Sequence, residues 1–567
     1  MVSTNENELV FLPLGGVGEI GMNLAAYGFG PKDCREWLLV DMGVSFAGPE
    51  LPGANLILPD IRFLENEKHN VRGLVLTHAH EDHYGAVLDL WPKLQVPLYC
   101  SPFTAGLLES KKRSNFKFHK IPLNIFQAGD CFQIGPFTIE AIAVNHSIPE
   151  AVSLAITTSL GNVIHTGDWK IDHTPSLGPV TDEKRLRILG NKGILALVCD
   201  STNALQDGIS PSEQQVRDSL SEIILKAEGR VVIATFSSNI GRIRSIALAA
   251  ESAGRQVLLV GRSIKRSVSV AQELGYLNNL APFITEDDYS HTPRKNMVLV
   301  VTGSQGEPCS ALAKLSRNEM RNIALSPGDT IIYSSRSIPG NEKAIFEIQN
   351  RFIDQGIKVI TNNDALVHVS GHPRRLELLQ MYDWVKPQIL VPVHGEAAHL
   401  VAQAALAREA NIKTIAEIRN GDMLRLAPKP IEIVEKVPVG QIYKDGYLIG
   451  SEDEVGINER RKLSYVGYVA ISLHMNSKHD LLDDIGFTAF GLPKNDGKGK
   501  SLKDILLTVV ENTINNIPQI KRKDNELIQE ATRRAVRATV NEIWGKNLSV
   551  QFSYIAQNKK CSYNYFF

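Results

Sequence analysis

Strand-like stretches recur along the first two hundred residues, and each ends in a group of polar side chains. Val71 to Leu76 reads as one apolar strand, Phe137 to Val144 alternates as a half-buried strand does, and Asn162 to Thr166 is a shorter run of the same kind. Much further along, Gln388 to Val393 repeats the pattern. The residues that follow these runs are Thr77-His78-Ala79-His80-Glu81-Asp82-His83, Asn145-His146-Ser147, Gly167-Asp168 and His394-Gly395-Glu396. Loops at strand ends are where a rigid scaffold presents its chemistry, so the four are read together.

Five metal-capable side chains stand within six positions in the first of these loops. On an extended segment His78 and His80 point to one side and can hold one ion. Asp82 and His83, past the bend, face a second, with Glu81 turned away. His146 completes the first ion, the two oxygens of Asp168 bridge both, and His394 supplies the nitrogen that the second still lacks. Two ions about 3.5–4 Å apart activate a water and clamp both oxygens of a phosphoryl displacement, so phosphodiester hydrolysis is expected. The expected cofactor is two divalent metal ions per chain, zinc first, with Mn²⁺ equally compatible with mixed His and Asp ligands. His69, His119, His165 and His173 are read as ordinary core or surface histidines.

Six of the seven proposed ligands lie at or before Asp168, and the seventh comes only at His394, which implies an inserted domain. Ser212 to Ala227 reads as an amphipathic helix, Arg230 to Thr235 as a strand, Arg242 to Ser252 as a helix, and Gln256 to Val260, Val298 to Val301 and Thr330 to Tyr333 as further strands. That alternation is α/β, with ligand-binding loops at its strand ends, such as Thr302 to Gly306 and Ser334 to Gly340. The expected organisation is a first domain over 1–205 completed by 361–440, an inserted domain over 206–360, a connector over 441–460 around Glu452-Asp453-Glu454, and a small α+β domain over 461–567. In the last, Ser464 to Met475 and Leu548 to Ile555 alternate, and Ser501 to Asn515 and Asp524 to Trp544 read as helices. Lys559 to Phe567 fits no pattern and is expected to be a disordered tail.

One pattern points elsewhere and fails. Gly16-Val17-Gly18-Glu19-Ile20-Gly21 spells a dinucleotide fingerprint, with Asp41 at the acidic position. A Rossmann unit needs a crossover helix in the interval, which Gly28, Gly30 and Pro31 interrupt, so Leu12 to Asn23 is read as a glycine-bent hairpin.

The chain has 567 residues, 43% apolar and 22% charged, which suits a multidomain globular enzyme. Its six cysteines form no CxxC pair, and neither a leader nor a membrane-length apolar run is seen, so a cytoplasmic protein with no membrane partner is expected. A net charge of −1 is low for a nucleic-acid enzyme, so any footprint must be local. Lys111-Lys112-Arg113 with Lys117 and Lys120, Arg262 with Lys265-Arg266, and Arg374-Arg375 either line a channel or form solvated faces.

Taken in order, these loops resemble the metallo-β-lactamase fold, an αββα sandwich, with Asp41 in Leu39-Val40-Asp41-Met42-Gly43 matching its first motif. Cys199-Asp200-Ser201-Thr202-Asn203, Ser370-Gly371-His372 and Val393-His394-Gly395 look like motifs A, B and C of the β-CASP nucleases, whose α/β domain is inserted in that sandwich. The series from Leu9 to about Asp422 is similar to the bacterial ribonuclease J family. The resemblance implies that Asp41 and Asp200 support the metal site from behind its ligands, and that His372 acts on the scissile phosphate as proton donor or charge stabiliser. It implies an RNA substrate in RNA decay and processing, products with 5′-phosphates, and a homodimer or homotetramer. A role of the C-terminal domain in dimerisation or RNA engagement is also implied, a stabilising appendage being the alternative.

Ser237-Ser238-Asn239 and His368-Val369-Ser370-Gly371-His372 look like substrate-contacting segments of that family, and a terminal phosphate needs several donors at close range. Such a pocket beside the metals makes the enzyme a 5′-to-3′ exonuclease preferring monophosphate ends, with endonuclease activity besides. Phe46 is a candidate for stacking on a base, a core position being the alternative. Two other readings stand beside this one: a DNA nuclease of the same fold, since contacts to the 2′-hydroxyl are not legible in a sequence, and a catalytically silent RNA-binding partner subunit, which the complete ligand set opposes.

Overall fold

A computed structural model describes residues 6–113, 121–338, 340–476, 478–482 and 485–556, with backbone alone for 552–556. Lys117, His119, Lys120, Cys561 and the expected tail from Lys559 lie outside these residues. The described residues fall into two compact units, 6–45 with 57–441 and 46–56 with 442–556.

Two sheets face each other in the first unit. One has eight strands, in the order Glu432–Lys436, Asp422–Ala427, Glu8–Gly15, Leu24–Gly30, Glu36–Val40, Val71–Val75, Leu98–Cys100 and Leu123–Ile125. The other has seven, in the order Cys131–Ile134, Phe137–Ala143, Val152–Thr158, Gly161–His165, Ile194–Asp200, Pro387–Val393 and Thr414–Ile415. Alternate residues of the two inner faces, among them Phe11, Tyr27, Leu38, Val75, Phe137, Ile139, Leu154, Val198 and Val391, form one continuous core. The outer face of the seven-stranded sheet is covered by the helices Glu183–Lys192, Arg375–Val385 and Ala397–Glu409 through Trp169, Leu186, Leu378, Met381, Leu390 and Leu406. On the other side, Trp37 packs edge-on against Phe63 of the short helix Arg62–Asn66 at 5.2 Å between ring centroids. The layers are those of an αββα sandwich.

The fingerprint-like glycines follow the first strand, which pairs antiparallel with Leu24–Gly30, so this segment is a hairpin connection. Val17 and Gly18 also pair in parallel with Gly395 and Glu396, which places that connection beside His394.

The inserted segment forms a third, wholly parallel sheet, ordered Gln256–Val260, Met297–Val301, Val231–Ala234, Thr330–Tyr333 and Lys358–Ile360. Its three inner strands are buried along their length, as parallel strands covered on both faces must be. Not anticipated here were the helices Arg262–Glu273, Ala311–Ser316 and Glu342–Asp354 and the edge strand Lys358–Ile360.

The second unit holds the antiparallel pair Tyr468–Met475 with Gly486–Phe490, and Ser549–Ala556 adds in parallel on the other side. Val469, Ile471, Leu473 and Met475 face the helices Leu502–Asn515 and Asn525–Trp544, burying Leu506, Val510, Ile528, Val536 and Val540. The strand expected from Ser464 starts only at Tyr468, because Ile457–Val466 is helical and Gly467, at φ +68°, ends that helix. Residues 441–460, expected as a connector, carry the strands Gln441–Asp445 and Leu448–Gly450 and the start of that helix. No helix among the described residues is long and apolar enough to cross a membrane.

Candidate metal centre

The ligand-bearing loops leave the two central sheets at the ends of their strands, so the sandwich itself brings them together. After Val71–Val75, the Thr77 amide donates to Asp41 Oδ1 at 2.8 Å and its hydroxyl donates to Oδ2 at 2.9 Å, which fixes the start of the loop. His78 to His80 continue extended, and Glu81–Tyr84 then forms a single helical turn that turns Asp82 and His83 back toward the site. Glu81 points away, to Lys111 Nζ at 2.7 Å. Gly43 makes this turn possible, since a Cβ there would fall 1.7 Å from the Asp82 carbonyl oxygen. Asp41 and His394 both adopt left-handed backbone, at φ +63° and +51°, which few residues other than glycine adopt.

Two groups of side chains converge. In the first, His80 Nδ1 lies 3.2 Å from His78 Nε2 and 3.0 Å from His146 Nε2, and Asp168 Oδ2 lies 3.7 and 3.5 Å from those two Nε2 atoms. The Thr77 hydroxyl spends its proton on Asp41, so it can only accept from His78 Nδ1 at 3.0 Å. His146 Nδ1 donates to the Gly371 carbonyl oxygen at 2.7 Å. Both rings therefore carry their protons on Nδ1 and turn their Nε2 lone pairs to one point, which His80 and the Asp168 carboxylate also face. Converging lone pairs of this kind suit a cation.

In the second group, His83 Nε2 stands 3.2 Å from Asp168 Oδ2 and 3.7 Å from Asp82 Oδ2, and His394 Nε2 stands 3.2 Å from Asp82 Oδ2 and 3.5 Å from Asp168 Oδ1. Each ring is oriented from behind: His83 Nδ1 lies 2.7 Å from Asp41 Oδ2, and His394 Nδ1 lies 2.8 Å from Thr202 Oγ1, which in turn donates to Asp200 Oδ1 at 2.7 Å. Asp168 is common to both groups and buried, and its Oδ1 has no hydrogen-bond partner among the described residues. Oxygen and imidazole ligands in two sets sharing one carboxylate fit a pair of divalent ions such as Zn²⁺ or Mn²⁺.

The electrostatics differ between the sides. Burial pushes the rings of His78 and His146 well down and that of His80 to about 4, so these are neutral and offer lone pairs. Burial acts the same way on His83 and His394, but Asp168 and Asp82 outweigh it, raising His83 well above its usual value and His394 to about 9. The carboxylates of the second side thus form a trap for positive charge.

His372 stands beside both groups, its ring 5.1 Å from that of His146 and 5.5 Å from that of His394. Its Nδ1 lies 2.8 Å from Asp200 Oδ2, which leaves Nε2 as the free end. Burial lowers this ring, but Asp200 and then Asp168 outweigh it and raise its proton affinity, which suits a proton donor. Asn203 joins two loops here, donating through Nδ2 to Ser370 Oγ at 2.9 Å and to the His372 carbonyl at 3.0 Å.

Asn239 and the chain entering His368–His372 are both bonded to Arg242. Arg242 is buried, and its Nη1 donates to Ser334 Oγ and, at 3.1 Å, to the Val367 carbonyl, tying the strand end before Ser334 to the chain that enters His368–His372. Ser237 and Ser238 are half-buried in the loop after Val231–Ala234, the strand paired with Thr330–Tyr333. Asn239 is buried and its Oδ1 caps the helix Ile240–Ser252, so half of that amide serves the fold. Val369 is buried and can offer only backbone, while His368 Nδ1 is buried without a hydrogen-bond partner. Phe46 is 64% exposed, so the core alternative for it fails, and it belongs to the other unit. His165 donates to or accepts from Tyr27 at 3.0 Å as a core histidine. Among the basic groups, Lys111 pairs with Glu81, Lys265 with Glu286, and Arg375 with Asp207 and Glu409. Thr77, Thr202 and Asn203 were not assigned roles from the sequence; a hydroxyl or amide adjoining a ligand motif was the available signal.

Four family models match along the chain: a beta-lactamase superfamily domain over 36–202, the ribonuclease J beta-CASP domain over 228–352, a Zn-dependent metallo-hydrolase RNA specificity domain over 356–416, and the ribonuclease J C-terminal domain over 455–555. Ribonuclease J of Sinorhizobium meliloti is 59% identical over 95% of this chain and 96% of that protein. The Mycolicibacterium smegmatis protein of the same name is 40% identical over 81% and 82%, and that of Helicobacter pylori J99 is 36% identical over 85% and 70%. Among solved structures, a protein of unknown function from Enterococcus faecalis aligns over 74% of this chain and all of its own with a TM-score of 0.51, at 19% identity, a likeness of fold alone. With a relative this similar along nearly its whole length and domain models matching in order, the chain belongs to the ribonuclease J family.

Proposed function

We propose that this metal-dependent ribonuclease degrades RNA from the 5′ end, prefers a 5′-monophosphate, and also cuts internally. One observation carries the reading: the chain of His368–His372 is bonded at Gly371 to His146 of the metal centre and, through Val367, Arg242 and Ser334, to the strand ends of the inserted sheet. Donors for a terminal phosphate are thereby held at a fixed distance from the cleavage point, which favours removal of nucleotides one end at a time.

In this reading His78, His80, His146 and Asp168 hold one ion, and Asp82, His83, His394 and Asp168 hold the other, zinc being the first choice. Two such ions, when bound, would supply an activated water and neutralise charge on the phosphoryl oxygens. Asp41, through His83, and Asp200, through Thr202 and His394, keep the ligand rings in orientation. His372 receives support from Asp200 at Nδ1 and presents Nε2–H toward the scissile phosphate, where it gives its proton to the leaving 3′ oxygen, so the shortened RNA keeps a 5′-phosphate. Ser237, Ser238, the Asn239 amide and Ser370 donate to the terminal phosphate.

Within this proposal the domains run over 1–205 with 361–440, 206–360 and 461–567, the protein is cytoplasmic, and it works as a homodimer or homotetramer, which sedimentation would establish. The activity is tested by incubating metal-loaded protein with end-labelled 5′-monophosphate RNA and the matching DNA. Mononucleotides released first from the 5′ end of RNA are expected; equal digestion of the DNA, or release from the 3′ end, would sink the reading.

A further inference from the structure

The proposed terminal-phosphate pocket is short of positive charge. Arg242 is buried and spends its guanidinium on Glu213, at 2.9 and 3.0 Å, and Lys170 is buried against Asp172 at 3.0 Å. The other donors are serines, an amide and His368, whose ring is held neutral by burial first and then by the Arg242, Lys170 and Arg336 cations. A terminal phosphate carries about −1.5 to −2 charges at neutral pH, and neutral donors alone distinguish it weakly from a hydroxyl end.

Arg336 is joined through Asn203 to Ser370 of the proposed pocket. It follows the strand Thr330–Tyr333 and buried Ser334, the residue that bonds to the Val367 carbonyl at 2.6 Å just before His368. Gln305, in the loop after the strand Met297–Val301, holds the backbone that follows, donating to the Arg336 carbonyl at 2.8 Å and accepting from the Ile338 amide at 2.8 Å. The side chain is exposed, yet Nη1 is anchored on Asn203 Oδ1 at 2.9 Å, and Asn203 Nδ2 holds Ser370 Oγ. Arg336 makes no ion pair with a described residue, so a charged fork is pre-oriented one side chain away from Ser370 with its charge unspent.

We propose that Arg336 is the specificity-determining cation of this pocket, pairing with the 5′-monophosphate of the RNA and so setting the preference for that end. The inference rests on the 5′-monophosphate reading above. A planar guanidinium anchored through one nitrogen keeps its remaining N–H donors for two phosphate oxygens, a geometry that an ammonium cannot copy.

The test is the ratio of kcat/KM on 5′-monophosphate RNA to that on the same RNA with a 5′-hydroxyl, measured with metal-loaded enzyme. Wild type comes first: a ratio near one removes the 5′-monophosphate reading itself. Given a wild-type preference, Arg336→Gln should cut the ratio about 10- to 100-fold, the worth of one charge-assisted contact, and Arg336→Lys should keep a larger part of it. A ratio unchanged in Arg336→Gln, whether or not both activities fall together, overturns the proposal, since the guanidinium then meets an internal phosphate or merely supports Asn203. Both variants are checked for folding by thermal melting.

Discussion

His146 Nδ1 donates to the Gly371 carbonyl oxygen at 2.7 Å, across 225 positions of the chain. A ring of the first ligand group is thus oriented by the backbone of the segment that carries His372. Gly371 is itself confined by the contact, because a Cβ there would stand 2.6 Å from both Nδ1 and Cε1 of His146.

The first prediction comes from that confinement. Gly371→Ala should push the His146 ring off its position and weaken metal binding at one of two sites by about 10–100-fold, the usual cost of losing an orienting contact. Metal titration should then show one tight site and one weak one. Two sites of unchanged affinity would mean that the ring yields without consequence and is not a ligand.

A second prediction separates the roles of Asp168 and His372. Asp168 is shared by both ligand groups, so Asp168→Ala should lose both metal binding and cleavage. His372 uses only its Nδ1, on Asp200, so His372→Ala should retain two ions and cleave on the order of 10²–10⁴ times more slowly. Loss of metal from the His372 variant would assign that ring to the metal centre, an option its proximity to Asp168, at 3.8 Å, makes worth excluding.

How far the sequence reached depended on how local each signal was. The loop from Thr77 to His83 announces itself because its ligand types are contiguous and the extended-then-helical turn follows from their spacing. The strands before His146, Asp168 and His394 are short apolar runs that composition marks well, and the alternation of Tyr468–Met475 is clear. The Arg262–Glu273 helix is less visible, since its buried residues, Ile264, Ser267, Val268, Val270 and Ala271, are mostly small or interleaved with basic ones. The orienting contacts were invisible for another reason: Thr202 and His394 are 192 positions apart, and only the parallel pairing of Ile194–Asp200 with Pro387–Val393 brings them together. Arg336 is likewise a lone basic residue in a loop, and its charge acquires meaning only from its anchor on Asn203.

The third prediction concerns end recognition. Ser237 and Ser238 lie in a strand-end loop of the inserted sheet and belong to neither ligand group. Replacing both with bulkier apolar residues should suppress stepwise digestion from the 5′ end while leaving internal cleavage of an unstructured RNA largely intact. Product sizes on a gel report both activities at once. Equal loss of the two would show that these serines serve the fold or a shared path for RNA.

The last prediction concerns the buried charges that join the inserted sheet to the sandwich. Glu213 accepts from Arg242 at 2.9 and 3.0 Å, lies 3.8 Å from Lys170 Nζ, and its own amide donates to Asp172 Oδ2 at 2.9 Å, so two cations face two carboxylates out of water. Burial alone would raise the Glu213 carboxyl, but Arg242 and then Lys170 outweigh it and hold it below its ordinary 4.5. A carboxylate lowered in the folded state adds stability above its unfolded value and loses it as pH falls through the folded one. Glu213→Gln leaves a buried cation uncompensated and should cost about 3–5 kcal/mol at neutral pH. The gap between wild type and variant should begin to close below about pH 4.5, as wild-type Glu213 takes up its proton and comes to resemble the amide. Melting curves of both proteins, taken in steps from pH 7 to pH 3, measure that gap directly, with the other titrating groups common to both. A gap that stays constant over the whole range would mean that the ionised carboxylate does not stabilise this junction and that the loss lies in packing alone.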